Sequence, residues 1–488
     1  MWKPSQSVFV LPRSKCFPFI PSHCQRLHTR SLRKVSTTAP TNNGYWESPS
    51  VSPTSPDISQ PSRPLSLLPF PTLFRSYALT SLSSYPLLLA PSLKLLSLFA
   101  HSSSALFNPD RNFILRWILK KTFYAQFCAG ETPKEVQRTV QGLKNMGYQG
   151  VILAYGKEIV LDRGEKIEVS STTRALEDTL DTKKEVQQWK EGTLKTVEMA
   201  KEGDFVGLKF SGAGNDAMRR LAANQPPCAI LQQATIEICN LAEKRGVRLL
   251  FDAEQAAVQH GIDEWTLHFQ RRYNKSTPGM AVVYGTYQAY LRSTPETLAR
   301  HLAIARDEAF TLGVKLVRGA YMGSDPRELI WSTKEDTDKT YDGITEALIK
   351  QKWNYILKPA LSEPKGSMAE VAFVLASHNH SSVKKAMAIR KEQTKKGTKK
   401  INMAYGQLMG MADEVSCELV TAAKAGIKAT SGKRESVGPK AYKYLVWGSV
   451  GECLKYLLRR AQENRDAVIR AEGTRTALRA ELGNRIWR

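Results

Sequence analysis

The chain has 488 residues, of which 42% are hydrophobic and 24% charged. This composition is that of a globular protein, and it excludes collagen-like, coiled-coil and wholly disordered chains. The seven cysteines form no C-x-x-C pair, which argues against a disulfide scaffold and a zinc module. The net charge of +24 leaves open nucleic acid, an anionic membrane, an anionic substrate or an import signal.

The N-terminal segment is basic and free of acids up to Glu47. Residues 1–46 carry seven Lys and Arg among many Ser and Thr. This composition is typical of an organelle transit peptide, so we predict mitochondrial import through residues 1–46. The alternative is a disordered basic tail.

Residues 47–110 are predicted to be a Pro/Ser-rich linker. Residues 1–110 hold 15 of the 24 prolines and one of the 31 glycines, a composition that packs no core of its own. The apolar stretch 85–99 is interrupted by Pro91 and Lys94 and is shorter than the roughly 20 residues of a membrane span. We predict a helix that lies against the folded domain or on a membrane surface.

Eight short β-type runs follow, separated by stretches long enough for helices. The helix before the fifth run is predicted over 295–312, with Thr294 as its N-cap and Gly313 at its C-terminus. The alternation predicts an α/β fold, a (β/α)8 TIM-type barrel over 111–488, in preference to a doubly wound sheet. The predicted strands are 150–155, 205–210, 247–252, 281–291, 314–318, 371–377, 401–404 and 442–447.

Polar side chains stand at most of the predicted strand ends, where barrels of this type place their chemistry. Each alone is typical of a satisfied polar residue at a barrel rim. Together they indicate a polar ligand of some size. They are Lys209, Asp252, Glu254, Gln288, Tyr290, Lys315, Arg318, His378, Asn379 and Tyr444.

Two segments suggest binding of anionic or electron-rich groups. In KLVRGAY, residues 315–321, two cations flank an apolar pair, and Gly319 allows close approach of a ligand. On the helix predicted over 449–468, Arg459 and Arg460 could converge on one carboxylate. A solvated strand edge and a solvated Arg/Glu face are the plainer alternatives.

Two other patterns carry less weight. Gly212, Gly214 and Ala217 spell the outline of a dinucleotide fingerprint, but the next strand-end acid, Asp252, comes 35 residues after Ala217 where about 20 is usual. The basic run 384–400 has eight cations and one acid but no aromatic residue for base stacking. We therefore predict a glycine-permissive turn and a solvated or membrane-facing helix, with no nucleic-acid partner.

These motifs occur together in one known family. The chain resembles the FAD-dependent proline dehydrogenase (proline oxidase) family, in a mitochondrial, fungal-looking form, over about residues 111–488. The resemblance implies a distorted (β/α)8 barrel with non-covalent FAD, L-proline as substrate, ubiquinone as acceptor and peripheral contact with the matrix side of the mitochondrial inner membrane. The motifs are FDAEQ, YQAYLRST, KLVRGAY, ASHN, QLMGMAD, KYLVWG and YLLRRAQEN.

The resemblance also implies residue roles. Arg459 and Arg460 hold the proline carboxylate, Lys209 and Asp252 line the substrate site, and Leu408, Tyr444 and Tyr456 form its wall. The implied flavin-binding residues are Gln288, Lys315, Val317, Arg318, Gly319, Ala320, Tyr321 and His378. Lys315 replaces an Arg found in many bacterial members, which keeps the charge but loses the planar fork.

The implied reaction transfers hydride from C5 of proline to flavin N5 and yields Δ1-pyrroline-5-carboxylate. Three alternatives stay open: a hydroxyproline dehydrogenase, a Rossmann-type NAD enzyme and a nucleic-acid-binding protein. Tyr444 is expected to crowd a hydroxyl-bearing ring, which favours proline.

Overall fold

The computed structural model describes residues 63–102, 104–156, 180–359, 367–429, 438–454, 456–458 and 468–487. They belong to one compact unit, Arg63–Arg488. The predicted transit peptide, residues 1–46, lies outside the described residues.

Eight parallel strands close into a barrel in sequence order, which confirms the predicted (β/α)8 fold. Pairing of β1 with β8 closes it, with Ile152 opposite Tyr444. The strands are β1 (Gly150–Tyr155), β2 (Phe205–Leu208), β3 (Arg248–Phe251), β4 (Val283–Gln288), β5 (Leu312–Val317), β6 (Val371–Ala376), β7 (Asn402–Leu408) and β8 (Ala441–Trp447).

Helices cover the outside of the barrel, and several of them precede its first strand in the chain. They are α1 (Phe70–Ser84), α2 (Pro86–His101), α3 (Phe113–Leu119), α4 (Pro133–Met146), α5 (Leu180–Met199), α6 (Asn215–Ala222), α7 (Ala229–Lys244), α8 (Ala256–Tyr273), α9 (Thr294–Asp307), α10 (Lys334–Lys350), α11 (His380–Lys396), α12 (Asp413–Ala429) and α14 (Val468–Ile486). Residues 450–458 form α13, in which residue 455 is not described.

Strand side chains alternate between the helical layer and the barrel interior. At its N-terminal end the interior is aromatic, and the ring of Phe205 packs edge-on against Tyr284 and Tyr442. The Arg248 guanidinium lies 3.7 Å from the centre of the Phe205 ring and donates to the Tyr442 hydroxyl at 3.0 Å. Towards the C-terminal end Asp252 and Lys315 are both buried, so the mouth is polar.

The predicted C-terminal end of the helix before β5, at residue 312, is wrong. Helix α9 ends at Asp307, and Gly313 lies inside β5. A Cβ atom at Gly313 would lie 2.3 Å from the carbonyl oxygen of Val283, so this glycine permits close approach of β4 and β5. Thr294 is the first helical residue, with Ser293 as the N-cap.

Residues 64–101, within the linker predicted over 47–110, are mostly helical, and the helix predicted over 85–99 is present as α2 (Pro86–His101). Pro71 and Pro86 lie in the first turns of α1 and α2, where a missing N–H costs nothing. Leu65, Leu68 and Leu73 are buried in a cluster with Leu478 and Leu482 of α14. Pro71 and Pro86 thus stand at helix starts, whereas Pro91 lies inside α2. None of the helices in the described ranges combines the length and apolarity needed to cross a membrane.

The dinucleotide-like glycines lie in a turn between β2 and α6. Gly214 has φ +108°, and a Cβ atom there would lie 2.1 Å from a carboxylate oxygen of Glu185. Glycine is required at Gly214 by this backbone conformation and by the neighbouring side chain. The closed barrel leaves no crevice of the Rossmann type.

Candidate active site

Three predicted site residues converge inside the barrel mouth. One carboxylate oxygen of Asp252 lies 2.5 Å from Lys315 Nζ, and the other accepts a 2.5 Å hydrogen bond from Tyr444 Oη. Lys315 Nζ also lies 5.1 Å from the centre of the Tyr444 ring. All three side chains are buried, so a carboxylate, an ammonium and a phenol form one desolvated unit.

The barrel register brings these residues together. The Asp252 amide donates to the carbonyl of Leu208 at 2.9 Å, which extends the β2–β3 pairing by one step and holds Asp252 at the rim. Thr286 lies opposite Lys315 in the β4–β5 pair, so both side chains point into the barrel. Tyr444 reaches Asp252 across the mouth from β8.

Gly207 makes room for the Tyr444 ring. A Cβ atom at Gly207 would lie 2.8 Å from Tyr444 Oη and 3.2 Å from a ring carbon. Sequence reasoning did not single out Gly207, although a glycine inside a strand is a signal of close approach.

Gly207→Ala is therefore expected to displace the Tyr444 hydroxyl from Asp252 and to lower kcat/KM about tenfold, the cost of one hydrogen bond to a charged group. Steady-state kinetics of the purified variant measures kcat/KM, and thermal unfolding shows whether the variant stays folded. Gly142→Ala, on the open face of α4 where nothing lies within 4 Å, is the matched control and should leave kcat/KM unchanged. Wild-type kinetics in Gly207→Ala would contradict a role for the Tyr444 position.

A second group of predicted residues forms a hydrogen-bonded rim beside this unit. The Gln288 amide nitrogen donates to the carbonyl of Glu254 at 3.1 Å, and its oxygen accepts from the Ala320 amide at 3.3 Å. The His378 Nε2 atom accepts from the Leu408 amide at 3.1 Å, so the neutral ring carries its proton on Nδ1. These bonds tie the end of β4 to the loops after β3 and β5, and the loop after β6 to the end of β7.

The loop after β5 is held by Tyr290 and Asp325. The Tyr290 hydroxyl donates to Asp325, which also accepts from the Ala256 amide at 2.9 Å. Burial raises the pKa of Asp325, which the hydrogen bond from Tyr290 partly offsets, and burial also raises the pKa of Tyr290. A Cβ atom at Gly319 would lie 2.4 Å from the Tyr290 ring, so the predicted glycine is needed for packing of this loop.

The remaining β5 positions differ in their surroundings. The Val317 carbonyl accepts from the Ala289 amide at 2.9 Å, which continues the β4–β5 pairing, and Tyr321 is buried. Arg318 points towards the outer helices, and its role in flavin binding stays a prediction. Its guanidinium contacts Asp338 at 2.9 Å and Ser382 at 2.8 Å, 4.3 Å above the Tyr341 ring.

The rest of the predicted substrate wall is only partly described. Tyr456 is buried in one cluster with Tyr444, and the half-buried Leu408 packs against that cluster. The Lys209 carbonyl accepts from the Trp189 indole at 2.9 Å at the end of β2. Arg459 and Arg460 lie outside the described residues.

The start of α13, which precedes Arg459 and Arg460, is firmly capped. The Ser449 amide donates to Glu452 at 2.8 Å, and the Glu452 amide donates to the Ser449 hydroxyl at 3.2 Å, which is a capping box. Glu131 accepts from the Val450 amide at 3.2 Å and pairs with Lys120 at 2.6 Å. This end of α13 is therefore fixed relative to the barrel.

Sequence reasoning missed a buried polar network behind Leu408. Lys443 Nζ lies 2.8 Å from Asp413 and donates to the Leu408 carbonyl at 3.3 Å. The Ser76 hydroxyl donates to Asp413 at 3.3 Å, and Gln126 donates to Ser76 at 2.8 Å. Helix α1 is thereby joined to the loop after β7, and a lysine among apolar residues in YKYLVW was the available signal.

The lysines of the basic run 384–400 form ion pairs on the outer surface. Lys385 lies 2.6 Å from Asp342, and Lys396 lies 2.7 Å from Glu392. These pairs are typical of a solvated helix.

Comparison with known proteins decides the family. The sequence pattern of the family described as "Proline dehydrogenase" matches residues 136–472. The chain belongs to the proline dehydrogenase family. The match spans all eight strands, α13, Arg459 and Arg460.

Individual proteins of the family are similar to this chain at a modest level of sequence identity. A Schizosaccharomyces pombe protein described as "Probable proline dehydrogenase, mitochondrial" is 29% identical over 420 residues, 77% of this chain and 82% of its own. A "Hydroxyproline dehydrogenase" of Bos taurus is 28% identical over 401 residues, 76% of this chain and 82% of its own. Proline utilization A from Bdellovibrio bacteriovorus superposes with a TM-score of 0.54 at 17% identity, over 82% of this chain and 38% of that one, a likeness of fold.

Proposed function

We propose that the chain oxidises L-proline to Δ1-pyrroline-5-carboxylate with FAD, the first step of proline catabolism. The observation that carries the proposal is the buried Asp252–Lys315–Tyr444 unit at the mouth of a barrel of this family. A desolvated cation beside an aromatic wall suits the oxidation of a small cyclic amino acid by a cofactor that gains negative charge as it accepts electrons.

The polar residues at the mouth fit a flavin. Thr286 Oγ1, on the inward face beside Lys315, is buried and finds no hydrogen-bond partner among the described residues. Gln288, Lys315, His378 and residues 317–321 would hold the cofactor. FAD supplies the two-electron acceptor when bound.

The chain's own residues would bind and orient the substrate. Arg459 and Arg460 would bind its carboxylate, with two guanidinium groups forming charge-assisted hydrogen bonds. Tyr444, Leu408 and Tyr456 would enclose the ring and exclude water. Asp252 fixes the Tyr444 hydroxyl, Lys315 adds positive charge where electrons arrive, and the substrate nitrogen would lose its proton to solvent.

The electrons would pass to ubiquinone through peripheral contact with the matrix side of the mitochondrial inner membrane. The mitochondrial relatives, the basic N-terminal composition and the net charge of +24 support this location. An apolar acceptor dissolved in the bilayer requires that the mouth of the barrel approach its surface.

The purified chain is expected to carry FAD, and L-proline added without oxygen should bleach its flavin absorbance. The reason is that oxidation of the substrate reduces the bound flavin. Absorbance spectra before and after addition measure this, and D-proline is the control that should leave the spectrum unchanged. A chain that retains no flavin, or flavin that proline does not bleach, would refute the proposal.

The second candidate is oxidation of hydroxyproline, which the similarity to the Bos taurus enzyme favours. We expect the Tyr444 ring, which is buried at the mouth, to crowd a hydroxyl on the substrate, and this favours proline. The same bleaching experiment with trans-4-hydroxy-L-proline separates the two. Faster bleaching by hydroxyproline than by proline would reverse the assignment.

A further inference from the structure

Large apolar side chains are unusually exposed on the N-terminal helices. Of the 21 large hydrophobic residues exposed in the described part of the chain, 13 lie within residues 70–118. A soluble surface scatters such residues singly, whereas a concentrated set marks an interaction site.

Helices α2 and α3 carry this exposure on their outer sides. In α3, Phe113 is 79% exposed, Ile114 69% and Trp117 56%, while Leu119 on the opposite side is buried. In α2, Leu87 is 89% exposed and Leu96 is buried. We call the outward set the apolar face, and it comprises Leu87, Leu95, Phe113, Ile114, Trp117 and Ile118.

The segment that carries the apolar face is basic in sequence, although Arg116 and Lys120 pair with Glu131. Between Asp57 and Glu131 the chain has one acid, Asp110, and seven Lys and Arg. Lys94 and Lys121 are exposed, next to Leu95 on α2 and three residues after Ile118. Exposed Leu, Phe and Trp bordered by cations are the composition of helices that lie in the plane of a membrane surface.

We propose that the apolar face docks into the headgroup layer of an anionic lipid bilayer, with Lys94 and Lys121 at the phosphates. The surface deepens the membrane contact of the proposed function and rests on it. A lipid surface is favoured over a folded partner because the exposed Lys94 and Lys121 beside the apolar side chains match anionic headgroups.

The inner sides of the same helices contact the barrel mouth. Leu96 and Leu119 belong to the buried cluster that contains Tyr444 and Tyr456. Docking through the outer sides would place the bilayer against helices whose inner sides share a buried cluster with Tyr444 and Tyr456. An acceptor dissolved in the bilayer is then close to the reduced cofactor.

The test is co-sedimentation of the full chain with vesicles of phosphatidylcholine containing phosphatidylglycerol. Phe113→Ser, Ile114→Ser, Trp117→Ser and Ile118→Ser combined should weaken binding about 30-fold, since four apolar side chains no longer enter the interface. Lys94→Gln with Lys121→Gln should weaken binding to these vesicles about 20-fold and leave binding to pure phosphatidylcholine unchanged. The matched control replaces exposed apolar residues elsewhere, Leu180, Tyr355, Ile427 and Ile486, with Ser, and should bind as wild type.

Each outcome decides the proposal, provided that thermal unfolding shows the serine variant folded. Binding lost only in the apolar-face and lysine variants supports it. A wild-type chain that does not bind vesicles overturns it, as does a dimer that the serine variant converts to monomer without any vesicle effect. Vesicle binding needs no turnover, so a wild-type chain that binds lipid but is not bleached by proline retains the docking surface while the proposed reaction fails.

Discussion

Replacing Asp252 with Asn is expected to lower the free energy of unfolding by about 3 kcal/mol, because the buried Lys315 ammonium then lacks its counter-charge. The amide keeps the shape of the carboxylate and can still accept from Tyr444, so the change isolates the charge. Urea unfolding of the variant and the wild type measures the difference. Activity should fall too, since Tyr444 and Lys315 lose their common anchor.

A double-mutant cycle distinguishes pairing from mere packing. Lys315→Met removes the other charge, and the combined Asp252→Asn, Lys315→Met variant should recover at least about 2 kcal/mol relative to the sum of the single changes. Glu346→Gln, which breaks an exposed pair with Lys350, is the control and should change stability by less than about 0.5 kcal/mol. Additive effects in the cycle would show that Asp252 and Lys315 are not coupled.

The barrel was predictable because each strand is a short apolar run, and Gly150–Tyr155 begins and ends as predicted. The contact between Asp252, after β3, and Tyr444, on β8, was not predictable. Nothing in the sequence states that these two residues face each other across the mouth. The contact follows from closure of the ring. Candidate residues were therefore identifiable singly, but their grouping required the fold.

Two features of the fold that the sequence did not show have simple physical causes. Lys315 and Arg318 are three positions apart, and side chains an odd number of residues apart point to opposite faces of a strand. Arg318 therefore faces Asp338 and Tyr341 in the outer layer. Similarly, the proline content of 64–101 suggested a linker, but Pro71 and Pro86 occupy first turns of helices whose burial depends on the distant α14.

The largest kinetic effect is expected from replacing Arg459 or Arg460. Arg459→Ala and Arg460→Ala should each raise the KM for L-proline about 100-fold, because each would remove the charge-assisted hydrogen bonds that we propose to the carboxylate. The effect on kcat should be smaller. Steady-state kinetics over a wide range of proline concentration measures both values.

The substrate itself supplies the sharper test of this assignment. Prolinamide lacks the negative charge, so wild type should use it poorly, and the alanine variants should lose little further on it. Arg459→Lys keeps the charge but loses the planar fork and should lie between wild type and Arg459→Ala. Arg479→Ala, an exposed position on α14, is the matched control and should leave KM unchanged. An unaltered KM for proline in Arg459→Ala and Arg460→Ala would show that these residues do not bind the carboxylate. The Asp252–Lys315–Tyr444 unit would still mark the mouth.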